Sequence, residues 1–143
     1  MSLDCHTSRG RTFIHAQHET TNILKKLYPS LDFVHSKKDT QAEDCWIYNH
    51  KKLFGVAEIK CRPYVNRRNK IPYKLEIIKN NYGNKYLITK TKIDNLREIS
   101  LIKQIPSFVF LNLPSEKKIV SFKITDSKGA WTIPVESRKT RTM

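Results

Sequence analysis

The chain has 143 residues, of which 27 are Lys or Arg and 13 are Asp or Glu, so its formal net charge is +14 at pH 7. This length suits one domain with a hydrophobic core, and no stretch approaches the ~18 apolar residues of a membrane span. Residues 1–11 show no secretory signal. We therefore expect one intracellular domain over residues 1–143, with flexible tails at 1–11 and 137–143. The charge favours a polyanionic partner, nucleic acid before a membrane surface.

Cysteine and histidine spacing argues against a structural metal site. Cys5, Cys45 and Cys61 are odd in number and lack Cys-x-x-Cys spacing, which excludes the usual patterns of a disulfide framework and a zinc ribbon. The five histidines are scattered, although His15 and His18 share a helical spacing. We expect the histidines on the surface or in contact with phosphate.

Apolar periodicity predicts a first helix over about residues 12–28, ended by Pro29. Its apolar positions are Phe13, Ala16, Ile23, Leu24 and Leu27. Three strands are predicted next, at residues 33–35, 44–49 and 53–62. Residues 63–85 are rich in Arg, Lys, Asn and Tyr, which predicts a basic loop with a short element at 73–79.

A second helix is predicted over about residues 90–104, with an apolar stripe of Ile93, Leu96, Ile99 and Ile102. After Pro106, three apolar runs at 107–113, 118–124 and 131–135 predict strands, with a turn at 126–129 between the last two. The order of helix, three strands, helix and further strands indicates an α/β fold with a mixed sheet.

The strand predicted at 53–62 carries charges in a regular pattern. Because side chains alternate along a strand, Glu58, Lys60 and Arg62 share one face with Val56. This strand is the most apolar in the first half of the chain, so we expect it to be central, where charges need a reason. The alternative is an exposed Glu58–Lys60 pair, worth only ~0.2–1 kcal/mol.

Asp44 begins the preceding predicted strand, 14 residues before Glu58. A hairpin between the two strands brings both carboxylates together, where they repel unless a cation lies between them. Oxygen ligands of this kind suit Mg²⁺, or Mn²⁺ in its place, with waters and a substrate phosphate completing the coordination. Lys60 could then hold or deprotonate a water. Metal-assisted phosphodiester hydrolysis fits this set.

Asp44 and Glu58-Ile59-Lys60 resemble the motif of the PD-(D/E)XK nuclease superfamily, with Glu43 where the name has Pro. Together with the element order, the resemblance covers about residues 12–113. It implies a restriction-endonuclease-like core of the kind found in small Holliday-junction resolvases: a central mixed β-sheet flanked by helices, in the order α-β-β-β-α-β.

The same resemblance implies further site residues. The backbone carbonyl of Ile59 would be a third metal ligand. Glu19 on the first helix would join the metal shell, its alternative being a surface Glu paired with Lys or His. Lys92, near the start of the second helix, would act on phosphate with Lys90 as its neighbour. For Lys90, a solvated first-turn lysine is the simpler interpretation.

The predicted basic loop mixes cations and tyrosines directly after the Glu-x-Lys strand. Cations neutralise backbone phosphates and tyrosines stack on unpaired bases, so this is the predicted DNA-binding element. The predicted nucleic-acid-binding residues are Arg62, Tyr64, Arg67, Arg68, Lys70 and Lys90. The alternative is a solvated loop whose tyrosines pack on the core.

These observations predict a Mg²⁺-dependent DNA endonuclease or exonuclease, structure- or end-selective, acting in DNA repair, recombination or replication. Asp44 and Glu58 would hold the ion, Lys60 would orient water, and a homodimer would place two cuts. One alternative is a basic nucleic-acid-binding module without catalysis. The other is an RNA-directed nuclease of the same fold, which the lack of an aromatic RNA-recognition strand disfavours.

Overall fold

The computed structural model describes residues 8–36, 44–62, 70 and 90–135, with side chains from residue 15 onward. In chain order these form α1 (Ser8–Leu27), β1 (Leu31–His35), β2 (Cys45–Asn49), β3 (Lys52–Cys61), α2 (Lys90–Lys103), β4 (Ser107–Leu113) and β5 (Lys118–Thr125). A single 3₁₀ turn (Pro114–Glu116) joins β4 to β5. The predicted element at 73–79 and the tail at 137–143 lie outside the described residues.

Helix α1 differs from its prediction in its start and in its buried face. It begins at Ser8, so residues 8–11 are helical rather than a loose tail. Ile23 and Leu27 are 39% and 60% exposed, whereas the residues that face the sheet are Gln17, Thr20, Thr21 and Leu24. The predicted stripe is therefore right for Leu24 and wrong for Ile23 and Leu27, because three polar side chains find hydrogen-bond partners and bury in their place.

The strands form one mixed sheet in the order β1-β2-β3-β4-β5. β1, β2 and β3 are antiparallel neighbours, β3 and β4 are parallel, and β4 and β5 are antiparallel. Parallel neighbours require a long crossover, and α2 lies within the one that joins β3 to β4. The predicted α/β class, the mixed sheet and the central position of β3 are confirmed.

The two helices cover opposite faces of β3. Leu24 of α1 belongs to a core with Ala57 and Ile59, whereas Leu96 of α2 belongs to a core with Val56. Alternation predicts that Leu53, Gly55, Ala57, Ile59 and Cys61 share the face opposite Val56, and this holds from Gly55 onward. It fails at Leu53, which packs on the α2 side, because the β2–β3 register shifts between Ile47 and Tyr48 and leaves Phe54 as an extra residue.

A hydroxyl cluster lies beneath the C-terminal half of α2. Ser100 of α2, Ser107 of β4 and Thr125 of β5 are each 0% exposed. Thr125 Oγ1 lies 2.8 Å from Ser100 Oγ and 2.6 Å from Ser107 Oγ. The hydroxyls satisfy one another, so they bury without leaving an unpaired polar atom.

A second polar network ties α1 to the sheet. Asn112 of β4 donates to Thr20 Oγ1 at 2.9 Å, across 92 positions of the sequence. The same hydroxyl lies 3.1 Å from Cys61 Sγ on β3. The network explains why Thr20 faces the sheet although it is polar.

The chain after β5 is not the strand that we predicted over residues 131–135. Trp131 makes one isolated bridge to Thr125, and its ring lies 5.2 Å from the guanidinium of Arg97. The turn that precedes it is confirmed: Asp126 Oδ1 accepts from Lys128 N and Ala130 N at 2.8 and 3.0 Å. Gly129 takes a φ of +77° there, a conformation that favours glycine.

Candidate functional site

Glu58 is a carboxylate buried in the middle of the central strand. It is 0% exposed, between Ala57 and Ile59, which are also 0% exposed. The alternative of an exposed surface pair with Lys60 is therefore wrong. Burial of a carboxylate is costly unless cations or donors compensate for its charge.

Two lysines supply this compensation, and both act on the same oxygen. Lys92 Nζ lies 2.8 Å from Glu58 Oε1, and Lys60 Nζ lies 3.4 Å from it. The lysine side chains are 30% and 27% exposed, so each ammonium group reaches solvent as well. Among the residues that the structure describes, neither oxygen of Glu58 has a hydrogen bond of good geometry, and the two ion-pair contacts above are both to Oε1.

Asp44 lies beside Glu58, as the sequence predicts. Cys45 pairs with Ala57, so one further step of the antiparallel register brings Asp44 opposite Glu58. Asp44 Oδ2 accepts a hydrogen bond of 2.7 Å from Ile59 N–H. We refer to Asp44, Glu58, Lys60 and Lys92 as the charged cluster.

The environment opposes a charge on Asp44. Burial raises the pKa of Asp44, and the charge of Glu58 raises it further. The Ile59 hydrogen bond, the charge of Lys92 and a side-chain hydrogen bond from Gln17 lower the pKa but do not cancel the rise. Burial alone would lower the pKa of Lys92, yet its contacts with Glu58 and the charge of Asp44 raise it overall. The ammonium form of Lys92 is thus stabilised by the two carboxylates.

Gln17 is a site residue that the sequence analysis missed. It is 8% exposed on the sheet-facing side of α1 and makes a side-chain hydrogen bond with Asp44. Its signal was the helical spacing of positions 17, 20, 21 and 24, which share one face. Only Leu24 of these is apolar, so a search for apolar periodicity passes over Gln17.

Glu19, the predicted acid of the first helix, is exposed. Burial raises the pKa of the Cys61 thiol, and the hydrogen bond with Thr20 lowers it. The charge of Glu19 raises the pKa of Cys61 further. Among the described residues, Glu19 does not form a three-carboxylate group with Asp44 and Glu58. The structure therefore does not bring Glu19 into the charged cluster.

The predicted nucleic-acid-binding residues are described in part. Lys90 is exposed in the first turn of α2, with its Nζ 2.6 Å from Asp94 Oδ2. Arg62 is half-buried directly after β3, and its N–H donates to Asn112 O. Lys70 is exposed. Tyr64, Arg67 and Arg68 lie outside the described residues.

The donor set of the charged cluster fits a hard divalent cation. Asp44 and Glu58 offer carboxylate oxygens side by side, and Oε2 of Glu58 is unpartnered within the described ranges. Strand alternation points the Ile59 carbonyl to the same side as its N–H, which bonds Asp44. Within those ranges, His, Cys, Asp and Glu side chains do not come together in a group of three or more that could hold a metal ion. A cation here would therefore depend on two carboxylates, a carbonyl and water, a set typical of Mg²⁺.

A histidine pair lies where α1 meets the end of β1. The rings of His18 and His35 stack with centroids 3.8 Å apart. Thr21 Oγ1 donates to His18 O and lies 2.8 Å from His35 Nε2. Because the one hydroxyl proton is used, His35 Nε2–H is the donor to Thr21. Burial lowers the pKa of His35, and the charge of His18 lowers it further.

Comparisons with known proteins do not assign the chain to a family. No protein-family model matches it, and neither the curated proteins nor the solved structures contain a match. None of the helices in the described part of the chain has the length and apolar character that crossing a membrane requires.

Proposed function

We propose that the protein is a metal-dependent nuclease of the PD-(D/E)XK type that hydrolyses phosphodiester bonds in DNA with selectivity for a structure or an end. The observation that carries the proposal is the buried carboxylate of Glu58 in the central strand, with Asp44 beside it and two ammonium groups on one oxygen. A structural role alone would not require three further charged side chains around one buried carboxylate of the central strand.

The architecture supports the finer assignment to a restriction-endonuclease-like core. Among the described elements, the order α1, β1, β2, β3, α2, β4 agrees with the α-β-β-β-α-β order of that core. The three antiparallel strands, the parallel β3–β4 pair and one helix on each face agree with it. The net charge of +14 supports a nucleic-acid substrate.

Asp44, Glu58 and the Ile59 carbonyl would hold Mg²⁺, or Mn²⁺ in its place. When bound, such an ion supplies charge stabilisation at the scissile phosphate and acidifies a water molecule. The protein then has to orient its own groups around the phosphate. The hydrogen bonds from Ile59 N–H and Gln17 hold the Asp44 carboxylate in one orientation.

The lysines would act on water and on phosphate. Lys60 shares a face of β3 with Glu58 and reaches solvent, so its ammonium group can orient an attacking water. After it has given a proton to the solvent, its neutral amine can accept one from that water. Lys92 stands in the first turn of α2, where free backbone N–H groups also favour an anion. Lys92 would neutralise charge that develops on the phosphate oxygens.

The test is cleavage of labelled supercoiled, linear, single-stranded and four-way-branched DNA with Mg²⁺, Mn²⁺ or EDTA. We expect metal-dependent cutting that Asp44→Asn and Lys60→Ala each remove. Labelled RNA in the same assay distinguishes the RNA-directed alternative. Tight DNA binding without cutting under either metal would contradict the enzyme and leave a nucleic-acid-binding module.

Two control variants match these substitutions. Asp32→Asn removes a carboxylate from the exposed Lys25–Asp32 pair near the opposite end of the sheet. Lys128→Ala removes an ammonium group from the exposed turn after β5, whose hydrogen bond uses the Lys128 backbone. Both variants should cut as the wild type does, so a loss in either would point to net charge rather than to the charged cluster.

A further inference from the structure

The ammonium groups at Glu58 stand in the position of counter-ions. Asp44 and Glu58 carry two negative charges, and Lys60 and Lys92 carry two positive charges. The cluster is therefore neutral with these lysines alone. A divalent cation beside the same carboxylates would leave two positive charges in excess, and it would repel the ammonium groups through a partly buried medium.

Of the two lysines, Lys92 is the one whose ammonium group can move away from Glu58. Its Nζ is the nearer of the two, at 2.8 Å against 3.4 Å, so it compensates most for Glu58 Oε1. It lies on α2 rather than on β3, and its side chain is 30% exposed. The ammonium group can therefore turn away from Glu58 into water while the strand and the carboxylate stay in place.

The first turn of α2 favours the binding of an anion by the displaced Lys92. It contains no acidic residue, although a helix N-terminus favours negative charge. Its other lysine, Lys90, is already paired with Asp94. A Lys92 ammonium group that has left Glu58 can therefore bind an external anion together with the free N–H groups of this turn. A backbone phosphate of a nucleic acid is such an anion.

We propose that Lys92 is a movable counter-ion of Glu58, which couples the binding of a divalent cation to the binding of nucleic-acid phosphate. Without substrate, Lys92 neutralises Glu58 and competes with the cation. A phosphate that takes Lys92 away leaves Glu58 in need of a cation, so each ligand strengthens the binding of the other. The inference rests on the proposed function, since it uses the same charged cluster.

The experiment is a calorimetric titration of Mn²⁺ into the wild type, Lys92→Met and Lys92→Gln, each without DNA and with a saturating short DNA duplex. Without DNA, both variants should bind Mn²⁺ about tenfold more tightly than the wild type. DNA should raise the Mn²⁺ affinity of the wild type by a similar factor and that of the variants by much less. The Gln variant keeps a donor for Glu58, which protects the test if the Met variant does not fold.

Lys103→Met is the matched control, because Lys103 is exposed in the last turn of the same helix. It should leave the Mn²⁺ affinity and its coupling to DNA unchanged. If both Lys92 variants bind Mn²⁺ with the same affinity as the wild type or more weakly, this inference is wrong, but the proposed nuclease is not affected. Absence of Mn²⁺ binding to every variant and to the wild type would overturn the inference together with the proposed nuclease.

Discussion

The two ends of α2 cover buried polar groups of different kinds. Near its first turn lies the charged cluster, in which Glu58 Oε2 is unpartnered within the described residues and the lysines reach solvent. Beneath its C-terminal half lies the hydroxyl cluster, whose members are 0% exposed and bond one another. The hydroxyl cluster is complete by itself and needs no ligand. The charged cluster has unused bonding capacity and access to water, which is what a binding site requires.

The largest expected effect separates the two clusters by activity. Lys60→Ala should lower the rate of DNA cleavage by about 10²–10⁴-fold, because it removes a group positioned for proton transfer. DNA affinity and its salt dependence should change little, since one cation of many is lost and Lys60 is assigned to water rather than to a backbone phosphate. Single-turnover cleavage and fluorescence anisotropy measure these quantities. Loss of binding together with cleavage would instead indicate a collapsed fold.

The hydroxyl cluster should respond in stability rather than in activity. Thr125→Val keeps the side-chain shape but removes the hydroxyl that both serines contact, leaving two buried groups without it. We expect a loss of about 1–3 kcal/mol in the free energy of unfolding. Urea denaturation measures it, with the exposed Ser121→Ala on β5 as control. Unchanged stability of Thr125→Val, or a loss of cleavage by its folded form, would contradict the distinction between the clusters.

Substitution of Asp44 should increase the free energy of unfolding, in contrast to Thr125→Val, which should decrease it. Burial and the adjacent charge of Glu58 raise the pKa of Asp44, so the folded state holds its ionised form less favourably than the unfolded chain does. Asp44→Asn keeps an acceptor for Ile59 N–H and removes the charge. In EDTA at pH 7 we expect it to stabilise the protein by about 1 kcal/mol, the usual cost of a functional site to stability. Chemical denaturation beside Asp32→Asn tests this, and a destabilised Asp44→Asn would refute it.

The smallest expected effect concerns pH and lies outside both clusters. The pKa of His35 is lowered by burial and by His18, so the folded state binds a proton less readily than the unfolded chain does. The stability from this pair is complete above pH 6.5, the ordinary pKa of histidine, and is lost as the pH falls below it. Solvent screening keeps the loss below about 1 kcal/mol.

His18→Gln should reduce that loss, because it removes the charge that opposes protonation of His35. Thermal unfolding at pH 7 and at pH 5 measures the difference. His15→Gln, exposed on the same helix, is the control and should keep the pH dependence of the wild type. An identical pH dependence in His18→Gln and wild type would show that the stacked pair has no such role.

The sequence predicts the order of elements because apolar periodicity, prolines and the turn at residues 126–129 are local signals. It also predicts that Asp44 and Glu58 lie side by side, since a hairpin places them in register. The apolar run at residues 131–135 predicted a strand that the structure does not contain. Beyond its single bridge, Trp131 packs against Arg97 instead of extending the sheet.

The buried face of α1 was not predictable from hydrophobicity. Thr20 buries because Asn112 and Cys61 meet it from two strands, and these partners are known only after the sheet has formed. Gln17 was missed for the same reason, since its partner Asp44 is distant in sequence. Polar residues that bury in pairs therefore give no signal in apolar periodicity.

The hydrogen bond between Thr20 and Asn112 has a consequence for the order in which the fold is completed during synthesis. It joins residues 92 positions apart, and β4 is also the parallel partner of β3, which carries Glu58. Contacts of such long range form slowly, because the entropy of closing the loop opposes them until both ends are present. A ribosome-bound chain that ends before β4 has α1, Asp44 and Glu58 but lacks the strand that bonds α1 and pairs with β3. The contacts that β4 makes with α1 and β3 therefore form only after most of the chain has been made.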